Sequence, residues 1–214
     1  KKSNSQIQSP FELIKIGESH NCEFKSTLRV NLFTNSPDKE IELACLKTIA
    51  AFLNTSGGVL LIGVEDNRNI IGLNKDFESF KKPDKLDEFQ KHLDNLITNF
   101  FDNSFFSLIK IKFPKLDDKM VCMIDVKQSN KPVLLNNKEN DFYIRRTGST
   151  VKLNKLEMME YIKKTNNYYK VFVSTHGSIE PKKIDMRRLV NSGLYEIMVD
   201  LDGDNQESYE KYRK

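Results

Sequence analysis

Apolar residues recur along this chain at two spacings, one typical of helices and the other of strands. Helical spacing runs over residues 38–54 and again over residues 85–100, where the apolar positions form one stripe. Between these helices, a continuous apolar run over residues 59–64 follows a Gly-Gly turn and predicts a buried central strand. Shorter apolar or alternating runs predict further strands over residues 23–25, 109–113, 120–126, 132–135 and 142–146. The predicted fold class is α/β in the α+β sense, with a compact mixed sheet and a few packed helices.

Local signals place several turns and helix ends. Asp38 is the expected N-cap of the first long helix. Asn154, with Glu157 three residues later, forms a capping-box pattern that predicts a helix to about residue 162. The polar segment 65–69 turns the chain into residues 70–73, which we expect to pair with the central strand as a hairpin.

The pattern changes after residue 165. Residues 170–174 and 194–201 are strand-like and residues 181–190 are helix-like, an order typical of a βαβ unit. We therefore assign residues 1–165 to one domain and residues 166–214 to a βαβ extension or the truncated start of a second α/β domain. The sequence begins without Met, so we expect it to be a piece of a longer protein.

Composition narrows the class of protein. The 214 residues are 38% hydrophobic and 30% charged, which is typical of a folded globular domain. No apolar run approaches the roughly 18 residues of a membrane span, so we expect a cytoplasmic protein with no membrane partner. Three cysteines without a C-x-x-C pair indicate reduced, structural thiols.

The charge balance permits a nucleic-acid partner without requiring one. The formal net charge is +4, and the sequence pI is about 8.8. Arg145 and Arg146, before a flexible polar loop, can contact phosphates, and Lys110 and Lys112 form part of the same basic set. Tyr143 can stack on an unpaired base. Each of these residues can also have a role without nucleic acid, because strand ends are often solvated and tyrosines on strands are often half-buried.

Acidic residues near strand ends form the candidate catalytic set. Glu18 and Glu23 flank a turn, and Asp66 follows the central strand. Carboxylate oxygens are the ligands that Mg²⁺ and Mn²⁺ prefer, and such an ion can activate water against a phosphodiester. Lys25, on the same strand face as Glu23, can neutralise charge on the scissile phosphate. Exposed acids at turns are common, so spacing alone leaves a purely structural role open.

Four ordered blocks of sequence carry a resemblance to a known family. They are residues 17–26, 46–58, 61–66 and 142–150. In that order they resemble the Schlafen AlbA family. The resemblance implies an α/β nucleic-acid-binding domain and, in the nuclease branch, an active site of two glutamates and one aspartate. Carried over by motif, these are Glu18, Glu23 and Asp66, which would hold Mg²⁺ or Mn²⁺, with Lys25 following in the Glu-Phe-Lys block.

The function that this resemblance implies is metal-dependent endoribonuclease activity on structured RNA such as tRNA, in a bacterial antiviral defence context. RNA is the expected partner over DNA, and the expected assembly is a homodimer with a shared basic groove. One departure is Glu65, which stands where nuclease members carry a first aspartate. We expect Glu23→Ala or Asp66→Ala to abolish cleavage without disturbing the fold.

Two other functions remain open at this stage. The chain can be a non-catalytic DNA- or RNA-binding module that recruits another effector domain, or an oligomerisation domain of a defence system. Residues 171–175 resemble the opening strand of TIR-like domains fused in bacterial defence proteins, which implies a C-terminal effector or sensor domain.

Overall fold

A computed structural model describes residues 9–137 and 139–165, together with the backbone of two strands at residues 172–176 and 196–200. The chain divides into two compact units, residues 1–159 and 160–214. The elements of the first unit are α1 (Pro10–Ile16), β1 (Cys22–Lys25), β2 (Val30–Asn31), β3 (Ser36–Pro37), α2 (Lys39–Asn54), β4 (Gly58–Ile62), α3 (Asn74–Glu78), α4 (Lys85–Phe100), a 3-10 helix (Asn103–Leu108), β5 (Ile109–Lys112), β6 (Lys115–Leu116), β7 (Lys119–Met120), β8 (Cys122–Val126), β9 (Leu134–Leu135), β10 (Asp141–Arg146) and β11 (Ser149–Leu153). Helix α5 (Lys155–Lys164) follows and crosses the boundary between the units. The predicted α+β class with a mixed sheet is confirmed.

Side-chain caps define where the helices begin. Asp38 accepts a hydrogen bond from the amide of Glu40 at the start of α2, as predicted. The box of Asn154 and Glu157 before α5 is also confirmed, because each side chain accepts from the other's backbone amide. A second capping box, at the start of α1, was not predicted: its amphipathic turn is only seven residues long and was interpreted as a short apolar segment.

The main sheet has four strands in the order β1-β4-β8-β5. β1 pairs with β4 in parallel, and the other neighbours are antiparallel. One face packs under α2 and α4 in the larger hydrophobic core, while α1 covers part of the opposite face in a smaller core. Residues that pair in register share a face of the sheet, whereas successive residues along a strand point to opposite faces. Charged side chains at successive positions therefore lie on opposite sides of the sheet.

A second sheet, of three strands in the order β11-β10-β9, packs on the other side of α2. Asn54, at the end of α2, fastens the helix to this sheet. Its side-chain amide donates to the carbonyls of Val133 and Tyr143, and its side-chain oxygen accepts from the amide of Val133. The segment 54–58 thus makes structural contacts between α2 and both sheets.

Two glycines allow the tight reversal between α2 and β4. Gly57 has φ +76°, in the left-handed region, and a Cβ there would lie 2.6 Å from the carbonyl oxygen of Val126. A Cβ on Gly58 would lie 2.4 Å from the ring of Phe52, which is fully buried. Neither position has room for a side chain without movement of the core.

Gly58→Ala is therefore expected to lower the free energy of unfolding by about 2 kcal/mol, the usual cost of overpacking a tight core. Urea denaturation followed by circular dichroism would measure it. Gly148→Ala is the matched control, because a Cβ there meets nothing within 4 Å and φ is not in the left-handed region. Equal stability of both variants would show that the helix–strand contact is not tight in solution.

Two regions differ from the sequence-based prediction. The expected hairpin over residues 70–73 is reduced to a single antiparallel bridge between Val64 and Ile70, because the amides of Ile71 and Gly72 both donate to the carbonyl of Gly63 instead of continuing a ladder. The β2–β3 hairpin and α3 were not predicted. Both depend on the buried carboxylate of Asp76, which accepts from the amides of residues 28–30 and so acts through tertiary contacts rather than local pattern.

The second unit contains β12 (Phe172–His176) and β13 (Glu196–Asp200), which pair in parallel. These two strands overlap the two strand-like segments predicted over residues 170–174 and 194–201. The helix predicted over residues 181–190 and the rest of the TIR-like resemblance lie outside the described residues. In the part of the chain that the structure describes, no helix is long and apolar enough to cross a membrane.

Cys22, Cys45 and Cys122 are free and buried. Burial raises the pKa of the Cys22 and Cys45 thiols to about 12 and that of Cys122 well above its ordinary value. All three are therefore neutral thiols at physiological pH and pack as small apolar side chains.

Candidate functional site

Glu23 lies at the centre of a buried ion-pair cluster on the edge strand β1. Its Oε2 accepts from the Nη1 of Arg145 at 2.7 Å, and its Oε1 accepts from the Nζ of Lys25 at 2.6 Å. The Arg145 side chain is 0% exposed, while Lys25 is 26% exposed. Glu23 is thus neutralised on one side by a fixed guanidinium and on the other by a partly exposed ammonium.

Arg145 holds more than Glu23. Its Nη2 donates to the carbonyl of Ser19 and its Nε to that of His20, while Nη1 also donates to the hydroxyl of Thr150. These contacts tie β10 and β11 to the loop that carries Glu18. The guanidinium also lies 5.1 Å from the ring centroid of Phe52, a cation–π distance.

One face of β10 lies against α2. Tyr143 and Arg145 share this face, since Lys47 of α2 lies against Tyr143 and Phe52 of α2 lies against Arg145. This orientation bears on the predicted contact between Arg145 and a phosphate. Arg145 makes four hydrogen bonds within the protein, so in this arrangement its guanidinium faces Glu23 rather than solvent.

Glu18 lies beside the same strand. One of its carboxylate oxygens, Oε1, accepts from the amide of Phe24 at 2.9 Å, and the side chain is otherwise exposed. Glu18 and Glu23 both act on Cys22, whose pKa is raised first by burial and then by these two carboxylates, while Arg145 opposes the effect. Two carboxylates therefore lie close to the Cys22 thiol near the start of β1.

Asp66 follows β4 at the carboxyl end of the strand pair. β1 and β4 run in parallel, and the carbonyl of Lys25 accepts from the amides of Gly63 and Val64. Asp66 is exposed in the turn, whereas the neighbouring Glu65 accepts from the side chain of Asn69 at 2.7 Å. Of the three predicted acids, Asp66 follows a strand, Glu18 precedes β1 and Glu23 lies within β1.

The three acids do not form a preassembled metal cage. Within residues 9–137 and 139–165, no group of three or more His, Cys, Asp or Glu side chains is close enough to hold a metal ion. By donor chemistry Glu18, Glu23 and Asp66 still suit Mg²⁺ or Mn²⁺, because all three offer carboxylate oxygens. Mg²⁺ also commonly takes only one or two carboxylates, with water and substrate phosphate as its other ligands.

Comparison with protein families identifies the first unit. The family described as Schlafen, AlbA_2 matches residues 18–154, more than half of the chain. The chain belongs to the Schlafen AlbA_2 family. Membership suggests nucleic-acid binding, and the match includes every candidate site residue on β1, β4 and β10.

Solved structures similar to this Schlafen AlbA_2 domain share little sequence with it. The DIP2311 protein of Corynebacterium diphtheriae has 17% identity and a TM-score of 0.46. The match covers 70% of this chain and 28% of that chain. The N-terminal domain of a RecG-related protein of Nitrosomonas europaea has 21% identity and a TM-score of 0.43, covering 69% of this chain and 91% of that chain. A search of curated proteins finds no match.

The basic residues proposed for nucleic-acid binding do not all lie together on the Schlafen AlbA_2 domain. Lys110 and Lys112 are exposed on β5, at the opposite edge of the sheet from β1 and on the opposite face from Glu23 and Lys25. Three strand spacings amount to about 14 Å. These lysines therefore cannot grip the phosphate that Lys25 would contact, although they can contact another part of a long nucleic acid.

Arg146 and Tyr143 differ sharply in exposure. Arg146 is exposed at the β10–β11 turn, directly after Arg145, and faces solvent where a phosphate can reach it. Tyr143 is 6% exposed, and its hydroxyl donates to Asp141 at 3.0 Å. Burial, followed by this carboxylate, raises the pKa of Tyr143 to about 12. Its ring packs in the core in this arrangement, with no face open to a base.

Sequence analysis did not identify the hydrogen-bond partners of Arg145. The Thr55 hydroxyl accepts from the amide of Arg145, and Thr150 and the Ser19 carbonyl accept from its guanidinium. Thr55 and Thr150 lie within the blocks that carry the family resemblance, which was a usable signal. Ser19 contributes a backbone carbonyl, for which side-chain identity gives no signal at all.

Proposed function

We propose that this Schlafen AlbA_2 domain is a metal-dependent endoribonuclease that acts on structured RNA such as tRNA, with its active centre at Glu18, Glu23, Lys25 and Asp66. The observation that carries the proposal is the fixed carboxylate of Glu23, which a fully buried Arg145 orients on the edge strand β1. Burying an ion pair costs desolvation free energy, and clustered buried charges are typical of functional sites.

Each residue has a distinct part in the proposed reaction. Arg145 is a positioning residue that fixes one oxygen of Glu23 and the loop that carries Glu18. Lys25 pairs with the other oxygen of Glu23 from a partly exposed position, so its ammonium can move to a phosphate when substrate arrives. Glu18, Glu23 and Asp66 would hold Mg²⁺ or Mn²⁺, which supplies charge stabilisation and an activated water when bound.

Conservative substitutions test the proposal. Asp66→Asn and Glu23→Gln are expected to lower the rate of RNA cleavage about 100-fold or more, because each removes a negative charge while preserving shape. Gln also retains an oxygen that accepts from Arg145. Labelled tRNA, rRNA, and single- and double-stranded DNA would be incubated with Mn²⁺, Mg²⁺ or EDTA, and products resolved by gel electrophoresis. Asp118→Asn is the control, since that side chain is 100% exposed outside the site.

The second candidate is a non-catalytic module that binds nucleic acid and recruits an effector domain. The double ion pair of Glu23 favours it, because both carboxylate oxygens are already occupied by cations. Binding without cleavage, weakened steeply by added salt, would be its signature. Full cleavage by both Asp66→Asn and Glu23→Gln would also refute the proposed active centre.

The wider assembly belongs to the same proposal. A homodimer would bring two basic surfaces side by side, and a fused C-terminal effector or sensor would link RNA recognition to antiviral defence. Sedimentation of the chain with and without tRNA would show whether it forms the homodimer. A monomer in both states would contradict the shared groove.

A further inference from the structure

The β2–β3 hairpin presents two apolar side chains to solvent at its tip. Phe33 has a relative exposure of 102%, and the neighbouring Leu32 is 44% exposed. Single exposed apolar residues are common, but a phenylalanine that extends completely from a built turn adds nothing to the core. The folded domain therefore gains no packing from this ring.

The tip is held in place by a network of polar contacts. The side-chain oxygen of Asn31 accepts from the amides of Phe33 and Thr34, and its amide donates to Asp38 at the start of α2. The hydroxyls of Thr34 and Ser36 are hydrogen-bonded at 2.8 Å. The turn is thus fixed by its own side chains, and the ring is presented in a defined direction.

The base of the hairpin is fastened to the domain by Asp76. This carboxylate is 0% exposed and accepts from the amides of Leu28, Arg29 and Val30, at 2.8, 3.0 and 3.2 Å. Burial raises the pKa of this carboxyl group, and the three backbone amides that donate to it oppose the rise. The hairpin is therefore a rigid projection, which lowers the entropy lost when its tip binds a partner.

The charge of this segment favours a nucleic-acid partner. Residues 26–37 contain no acidic residue in a chain that is 30% charged, and their one cation, Arg29, pairs with Glu42 of α2. The tip residues Asn31, Thr34, Asn35 and Ser36 are neutral. The hairpin also leaves β1 at the end where Asp66 follows the parallel strand β4. A polyanion can approach such a tip without meeting a carboxylate of the tip itself.

We propose that Phe33, supported by Leu32, stacks on an unpaired nucleotide of the bound nucleic acid and so positions the strand beside the Glu23 cluster. The inference rests on the nucleic-acid binding of the proposed function and names the part of the substrate that is recognised. Aromatic rings that stack on bases in this way contribute about 1–3 kcal/mol per base, with little sequence preference. Duplex without unpaired bases should bind without this contribution.

A tryptophan substitution gives a direct readout, because the chain contains no Trp. Phe33→Trp would be titrated with oligo(U), a tRNA and a fully paired duplex, and its fluorescence recorded. Stacking should quench the signal with oligo(U) and tRNA at the concentrations at which they bind, and much less with duplex. Phe11→Trp is the matched control, since Phe11 is 50% exposed on α1, and its signal should stay constant.

Affinity provides the second measurement. Phe33→Ala is expected to weaken binding of oligo(U) about tenfold, which corresponds to about 1.4 kcal/mol. Its unfolding transition should be unchanged because the ring is fully exposed. Phe33→Tyr should restore affinity, since it keeps the aromatic face.

The outcomes separate this inference from the proposed function. If wild-type protein binds tRNA while Phe33→Ala binds equally well and Phe33→Trp is not quenched, the stacking role is overturned and nucleic-acid binding stands. If wild-type protein binds no nucleic acid, both fail together. A change of oligomeric state in Phe33→Ala without nucleic acid would assign the tip to a second protein chain and also overturn the inference.

Discussion

Arg145→Met is expected to lower the free energy of unfolding by about 3–5 kcal/mol, the usual cost of breaking a buried ion pair by removing one partner. The variant leaves Glu23 with Lys25 as its remaining cation. It also leaves the carbonyls of Ser19 and His20 without the donors that Arg145 provides. Urea denaturation followed by far-ultraviolet circular dichroism would measure the loss.

Arg146→Met is the matched control, because the neighbouring side chain is exposed and should change stability by less than about 0.5 kcal/mol. A double-mutant cycle with Glu23→Gln separates the pair from its surroundings. We expect a coupling free energy of about 0.5–3 kcal/mol. Equal stability of Arg145→Met and Arg146→Met would contradict the buried pair and would return Arg145 to the role of an exposed phosphate contact.

The ion pair of Glu23 and Arg145 also decides which substitution of Glu23 can test the active centre. From sequence, Glu23→Ala was expected to leave the fold intact. In the structure that substitution leaves the fully buried guanidinium of Arg145 facing an empty site, with a penalty of several kcal/mol. Loss of cleavage in Glu23→Ala would then reflect unfolding as readily as lost chemistry. Glu23→Gln avoids this ambiguity.

Local pattern predicted the main elements, because each depends on residues that are close in sequence. The stripe over residues 85–100 predicted both ends of α4 correctly, and the apolar run over residues 59–64 predicted β4, which begins one residue earlier and ends two residues earlier. Asp66 was placed after β4 by the same reasoning, since a strand end is a local feature. The family blocks then selected Glu18, Glu23 and Asp66.

Partners that are distant in sequence could not be predicted. Glu23 and Arg145 are separated by 122 residues, and the chemistry of a guanidinium suits a phosphate as well as a carboxylate. The interpretation of Arg145 as a phosphate contact rested on that ambiguity. Tyr143 is similar: alternation placed it correctly on a strand face, but which sheet face meets α2 is decided by tertiary packing.

Asp76 shows most clearly that partners distant in sequence cannot be predicted from local pattern. Its replacement should have the second large effect on the free energy of unfolding. Its neighbours along the chain contain no pattern that marks it as buried, and it lies on a five-residue helix that was not predicted. Its importance comes from the amides of residues 28–30, which are nearly fifty positions away in sequence. One carboxylate satisfies all three amides.

Asp76→Asn is expected to lower the free energy of unfolding by about 3 kcal/mol, because the new amide group turns a donor toward a backbone donor that the carboxylate had satisfied. Asp66→Asn, the same chemical change at an exposed site, should be close to neutral. Burial raises the pKa of Asp76. The two oxygens of Asp76 nevertheless accept from three backbone amides, which a single amide oxygen cannot all satisfy. Hydrogen exchange would show whether the amides of Leu28 and Val30 lose protection in the variant. Unchanged protection, with unchanged stability, would mean that the hairpin is held by its own turn and not by Asp76.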